Sequence, residues 1–148
     1  MNKAEELQKS RLFEGLLPEE IEMLSELIQQ KKFEAESVVF EQGDVGDSLY
    51  LLVEGKVDVI RKNEDGSEHV IATLDAPDFF GEMSLIDKEY RSATIKAKTD
   101  SILLCLTNKN LHSFARVYKN GFTLVVINIA RVLSSRLRDT NEKLASVM

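Results

Sequence analysis

The chain has 148 residues, 43% of them hydrophobic and 30% charged, with a formal net charge of −6. That length holds one domain with a real core and not two of ordinary size, and the composition excludes disorder of the whole chain. Acidic and basic residues are interspersed, no apolar run reaches bilayer-spanning length and the N-terminus MNKAEELQKS lacks an apolar signal core, which predicts a cytoplasmic protein with no direct nucleic-acid partner and no membrane insertion.

The first elements read as helices. AEELQKSRLF is built of good helix formers, and PEEIEMLSELIQQK sets Pro18 and Glu19 at a helix start, with Ile21, Leu24, Leu27 and Ile28 along one docking face. From Phe33 the period changes. Val, Ile, Leu, Tyr and Phe alternate with turn residues at QGDVGD, EG and NEDG, predicting a meander of short antiparallel strands. Asn63–Gly66 is the tip of a hairpin whose strands end at Ile60 and start at Val70. SATIKAKT and SILLCLT form a further strand pair, and Cys105, the single cysteine, reads as a small buried side chain.

After Thr107 the pattern is helical again, in NKNLHSFARVY and then from Phe122 to the end, where no proline interrupts. The expected class is α+β: an antiparallel β-roll, jelly-roll-like, over residues 33–107, flanked by N-terminal helices in 1–32 and a C-terminal helix pair in 108–148.

The last helix carries two apolar stripes. Val126, Ala130, Leu133, Leu137, Thr140, Leu144 and Val147 follow a heptad seam, while Phe122, Val125, Ile129 and Val132 lie on a neighbouring face. If the second stripe packs on the roll, the seam is left for another chain, and a parallel homodimer is expected. The alternative is one wide stripe packed on the roll alone.

The stretch FFGEMSLIDKEYRSATIKA places Arg91 between a short helical turn and a strand. Backbone amides at the start of a turn beside a glycine favour an anion, and a guanidinium ten residues on closes over the same anion with a two-pronged hydrogen bond. Glu82, displaced from that anion, accepts hydrogen bonds from a sugar hydroxyl. A plain ion pair between Glu82 and Arg91 is the competing reading.

FGEMSLIDKEYRSATIKA resembles the phosphate-binding cassette, here 79–94, of the cyclic-nucleotide-binding domain family, which includes the sensor domains of bacterial cyclic-AMP receptor proteins and of protein kinase A regulatory subunits. EQGDVGDSLYLLVEGKVDV is similar to that family's first strands, so the resemblance covers Phe33 to Leu106 and extends to the flanking helices. It implies that Gly81 and Glu82 hold the ribose 2′-hydroxyl and that Arg91 meets the exocyclic phosphate oxygens. Amides of Met83, Ser84, Ser92 and Ala93 then complete the cradle. Many members have proline where this chain has Tyr90, and DKEY lacks a glycine often found there, which implies a less rigid insert. SSRLRDTNEKL resembles the dimer helix of the cyclic-AMP receptor proteins, implying that Thr140 and Asn141 contact adenine. In that family a DNA-binding helix-turn-helix begins just beyond the position of Met148, so DNA binding is not expected of these residues.

The expected function is a regulatory module that senses a 3′,5′-cyclic purine nucleotide, cAMP (cyclic AMP) in preference to cGMP (cyclic GMP), without transforming it. The resemblance implies that the Ser92 hydroxyl serves either the phosphate or, as in cyclic-GMP-selective relatives, the guanine amino group, while Thr140 and Asn141 lean towards adenine. His69 and His112 have no metal-ligand spacing, so neither a metal, a cofactor nor catalysis is expected. Met83, Leu85 and Ile86 are expected to repack against the C-terminal helices when the ligand orders the turn. The alternative is a dimerisation or scaffold domain that keeps the fold and binds no ligand.

Overall fold

A computed structural model describes residues 1–82, 84 and 90–147. Helix α1 (Lys3–Lys9) starts where the Asn2 side chain accepts the Glu5 N–H, and a 3₁₀ turn (Arg11–Phe13) follows, capped by the Ser10 hydroxyl. Helix α2 (Pro18–Leu27) begins with proline, whose missing N–H costs nothing in a first turn. The helix stops at Leu27 instead of running on through Lys31. Residues Gln29–Phe33 are strand β1, paired from Gln29↔Cys105 to Phe33↔Ser101 with β8 (Ser101–Thr107). Gln and Lys favour a helix locally, but the ladder with β8 satisfies this backbone, so the strands begin four residues before the expected Phe33.

The remaining strands are β2 (Val38–Phe40), β3 (Ser48–Glu54), β4 (Lys56–Lys62), β5 (Glu68–Asp75), β6 (Phe79–Phe80) and β7 (Thr94–Ala97). They form two four-stranded antiparallel sheets, ordered β1-β8-β3-β6 and β2-β7-β4-β5. The hairpin tip falls at Asn63–Gly66 as expected, with its strands reaching Lys62 and Glu68 across a register shift at Val59/Ile60.

Strand β3 shows why there are two cores. Leu49 and Leu51 face the helices, joining Leu24, Leu111, Phe114, Val125 and Ile129, whereas Tyr50 and Leu52 face the roll interior with Val57, Phe80, Ile95 and Leu103. Cys105 is buried in that second core. Each fully buried aliphatic side chain contributes roughly 1.5–3 kcal/mol.

Helix α3 (Asn108–Val117) is capped by the Thr107 hydroxyl, and α4 (Lys119–Ser146) begins three residues earlier than the expected Phe122. Gly121 lies in its first turn because a Cβ there would collide with the Glu20 carboxylate. Asn128 donates to the Leu12 and Glu14 carbonyls at 3.0 and 2.9 Å, tying α4 to the 3₁₀ turn. The two stripes of α4 separate as read from the spacing. Val125, Ile129 and Val132 are buried, while Val126, Ala130, Leu137, Thr140, Leu144 and Val147 are exposed, with Leu133 half-buried between them. A single wide stripe on the roll therefore does not describe this helix. Among the described residues, no helix is long and apolar enough to cross a membrane.

Candidate functional site

A cavity of ≈ 370 Å³ opens beside β6 and the turn that follows it. Val59, Ala72, Leu74 and Ile95 give it an apolar side, and Gly81, Glu82, Ser84 and Arg91 a polar one. That volume and mixed lining suit a small organic ligand.

The polar side is built on two glycines. Gly81 has φ +81°, and a Cβ there would lie 2.8 Å from Arg91 Nη1 and 3.0 Å from Ser48 O. Gly46, in the loop before β3, lets the backbone approach Ser84 and Arg91; a Cβ would stand 2.9 Å from the Ser84 Cβ. The same loop fixes the Arg91 backbone, since Arg91 N–H donates to Asp44 O (2.6 Å) and Gly43 N–H to Arg91 O (2.9 Å). Tyr90 pairs with Val45 as an isolated bridge.

Held there, Arg91 turns its side chain inwards and is 8% exposed. Its Nη2 donates to Ser48 O at 2.8 Å and to Ser48 Oγ at 3.5 Å, and Nη1 donates to Gly81 O at 3.3 Å. Burial pushes the guanidinium below its ordinary value, opposed by Tyr50, Asp47, Cys105 and Asp44. Among the described residues, none of the ion pairs involves Arg91. A guanidinium cannot shed its charge at neutral pH, so this buried cation is solvated by carbonyl dipoles and lacks a carboxylate counter-charge there.

Glu82 is 7% exposed, and burial pushes its carboxyl up, opposed first by a hydrogen bond to its own backbone and then by Arg136. The ion pair with Arg91 weighed from the sequence does not form. Arg136 of α4 is the partner instead: Nη1 lies 3.4 Å from Glu82 Oε1, and Nη2 lies 3.3 Å from Asp78 Oδ1 and donates to Phe79 O. Sequence reading missed Arg136. The signal was present, because Val125, Ile129, Val132 and Arg136 continue the body-facing stripe at spacings of four, three and four.

Ser84 donates its hydroxyl to Gly81 O (2.9 Å) and Ser48 O (3.2 Å), and its N–H closes the turn onto Gly81 O. Its carbonyl accepts from Asn108 Nδ2 at 3.0 Å, joining the turn to α3. Ser92 and Ala93 line the cavity beside Arg91, and Ser92 O accepts from Arg61. Thr140 and Asn141 are exposed one turn beyond Arg136 and do not line the cavity of this chain; Thr140 Oγ1 donates to Arg136 O. Met83, Leu85 and Ile86 lie outside the described residues. Neither His69 nor His112 lines the cavity, and no group of three or more metal-ligating side chains occurs among the described residues.

Residues 30–118 match the model of the cyclic nucleotide-binding domain. The chain is 36% identical over 138 residues to the cyclic AMP receptor protein of Thermus thermophilus, covering 93% of this chain and 62% of that protein. It is also 36% identical to the cAMP-dependent protein kinase regulatory subunit of Schizosaccharomyces pombe, over 77% of this chain and 28% of the relative. Among solved structures, a cyclic nucleotide-binding domain from Methylobacillus flagellatus superposes with a TM-score of 0.86 at 26% identity, covering 99% of this chain and 83% of that one. The chain thus spans less than two thirds of the length of these two curated relatives.

Proposed function

The chain belongs to the cyclic nucleotide-binding domain family, and from that premise we propose that its cavity takes a 3′,5′-cyclic purine nucleotide, cAMP in preference to cGMP, as a regulatory signal that is bound and not transformed. The observation that carries this reading is Arg91, a buried cation without a carboxylate partner among the described residues, beside a buried carboxylate in the same cavity. A cyclic phosphate supplies the missing negative charge and accepts two N–H groups at once. The ribose 2′-hydroxyl donates to Glu82, with Gly81 keeping the backbone clear, and the amides of Ser92 and Ala93 beside Arg91 frame the phosphate.

Occupancy reaches α4 through Glu82. Its carboxylate already engages Arg136, so a sugar hydroxyl that shares Glu82 changes the pull on that helix. Thr140 sits one turn further along, on the exposed seam, with Asn141 exposed beside it. A second copy packed there in parallel would bring them over the adenine, and this arrangement, with the descriptions of the two relatives, favours cAMP. In this reading the C-terminal helices α3 and α4 shift against a roll that runs from β1 to β8. The protein works in the cytoplasm as part of a homodimer, and these residues make no direct contact with nucleic acid.

Calorimetric titration tests it. The wild type is expected to bind cAMP more tightly than cGMP or 2′-deoxy-cAMP, and Arg91→Ala to weaken cAMP binding by about 2–4 kcal/mol through loss of a charge-assisted contact to a desolvated anion. Equal affinity in that variant would remove the assignment and leave a scaffold domain.

A further inference from the structure

Phe40 ends strand β2, opposite Ile95 of β7, and its ring reaches under the guanidinium: Arg91 Cζ lies 4.0 Å from the ring centroid. The ring is itself held, with centroids 5.9 Å from both Tyr50 and Phe80, which stack on each other at 5.3 Å. An aromatic face attracts a cation through its quadrupole. It does so without accepting an in-plane N–H, whereas a carboxylate partner would neutralise the charge and occupy the edge that an anion needs. Arg91 Nε–H makes no hydrogen bond to the described residues, and the carbonyls of Ser48 and Gly81 engage only the two Nη atoms.

We propose that Phe40 is a positioning residue for Arg91: its ring holds the guanidinium by the face inside the cavity and presents its N–H edge to the phosphate oxygens of the ligand. The inference rests on the reading of Arg91 as the phosphate ligand. It assigns Phe40 to the anionic half of the nucleotide, although the residue packs with the apolar core and carries no polar atom.

A double-mutant cycle on the full chain, read by protein-observed NMR titration with cAMP, tests it. Phe40→Leu keeps the apolar bulk and removes the π face, and is expected to weaken cAMP binding by about three- to tenfold, with Phe40→Tyr restoring it. In an Arg91→Ala background, Phe40→Leu is expected to cost nothing further. Wild-type affinity in Phe40→Leu, or the same loss with and without Arg91, would overturn the proposal. Undiminished binding in Arg91→Ala alone would instead overturn the phosphate reading beneath it. Should Phe40→Leu fail to fold, the wild type decides: its Arg91 side-chain resonances are expected to be shifted upfield by the ring current, and unshifted resonances would overturn the proposal.

Discussion

Arg91 and Arg136 reach the same cavity from different elements and are partnered in contrasting ways. Arg91, from the segment before β7, is buried against two carbonyls, a hydroxyl and an aromatic face. Arg136, from α4, has a side chain 38% exposed and faces two carboxylates, Asp78 and Glu82. One charge has no carboxylate partner among the described residues; the other is answered within the chain, where it ties a helix to the site. In the function proposed above the contrast separates binding from relay, and substitutions on each side should have distinct signatures.

The largest effect on the fold is expected at Gly81, which supports the Arg91 side. Gly81→Ala forces a Cβ into a left-handed backbone and against Arg91 Nη1 and Ser48 O. It should lower unfolding stability by about 1–3 kcal/mol and weaken cAMP binding as well. Denaturant melts and titrations matching the wild type would show that the cramped turn does not set the position of the arginine.

On the relay side, Arg136→Ala should cost about 1 kcal/mol of stability, since half-exposed ion pairs are weak but Glu82 is left buried without its cation. Removing a cation that favours the charged form should raise the Glu82 pKa beyond its already elevated wild-type value, as followed by carboxyl-carbon NMR. An unmoved titration would mean that α4 does not feel Glu82.

The same carboxyl gives a pH dependence. Raised by burial, Glu82 holds its proton more tightly in the folded chain than in the unfolded one. From the ordinary glutamate value up to its folded value, the fold therefore loses stability as pH rises and regains it as pH falls. Measured in urea, the wild type should lose stability relative to Glu82→Gln across that window, and parallel pH profiles would contradict a desolvated carboxylate. The smallest effect is expected on the exposed seam. Leu137→Ser should leave the stability of the single chain within about 0.5 kcal/mol while weakening self-association in sedimentation. Unchanged association would take the seam out of the dimer.

How far the sequence foretold this contrast depends on the distance over which each contact is made. Gly81, Glu82 and Arg91 were legible because they fall within eleven residues, and the turn chemistry is local. Phe40 was not, since it meets Arg91 only through the pairing of β2 with β7, and nothing in VVFEQGD marks one apolar residue as different from its neighbours. Arg136 lies 54 residues from Glu82, yet its place on the body-facing stripe of α4 was readable from helical spacing. The misjudged element, β1, failed for a related reason: QQKK favours a helix by local propensity, and only the ladder with β8 makes it a strand. Thr140 was legible as a seam residue and Asn141 only through the resemblance of SSRLRDTNEKL, but the cavity of a single chain does not reach them.

In the proposed function the buried Arg91 guanidinium meets a cyclic phosphate. A crystal structure of the chain grown with cAMP tests this most directly. Exocyclic phosphate oxygens are expected within about 3 Å of the Arg91 nitrogens, with the 2′-hydroxyl on Glu82. A well-ordered nucleotide bound elsewhere, with Arg91 still donating only to Ser48 and Gly81, would contradict it.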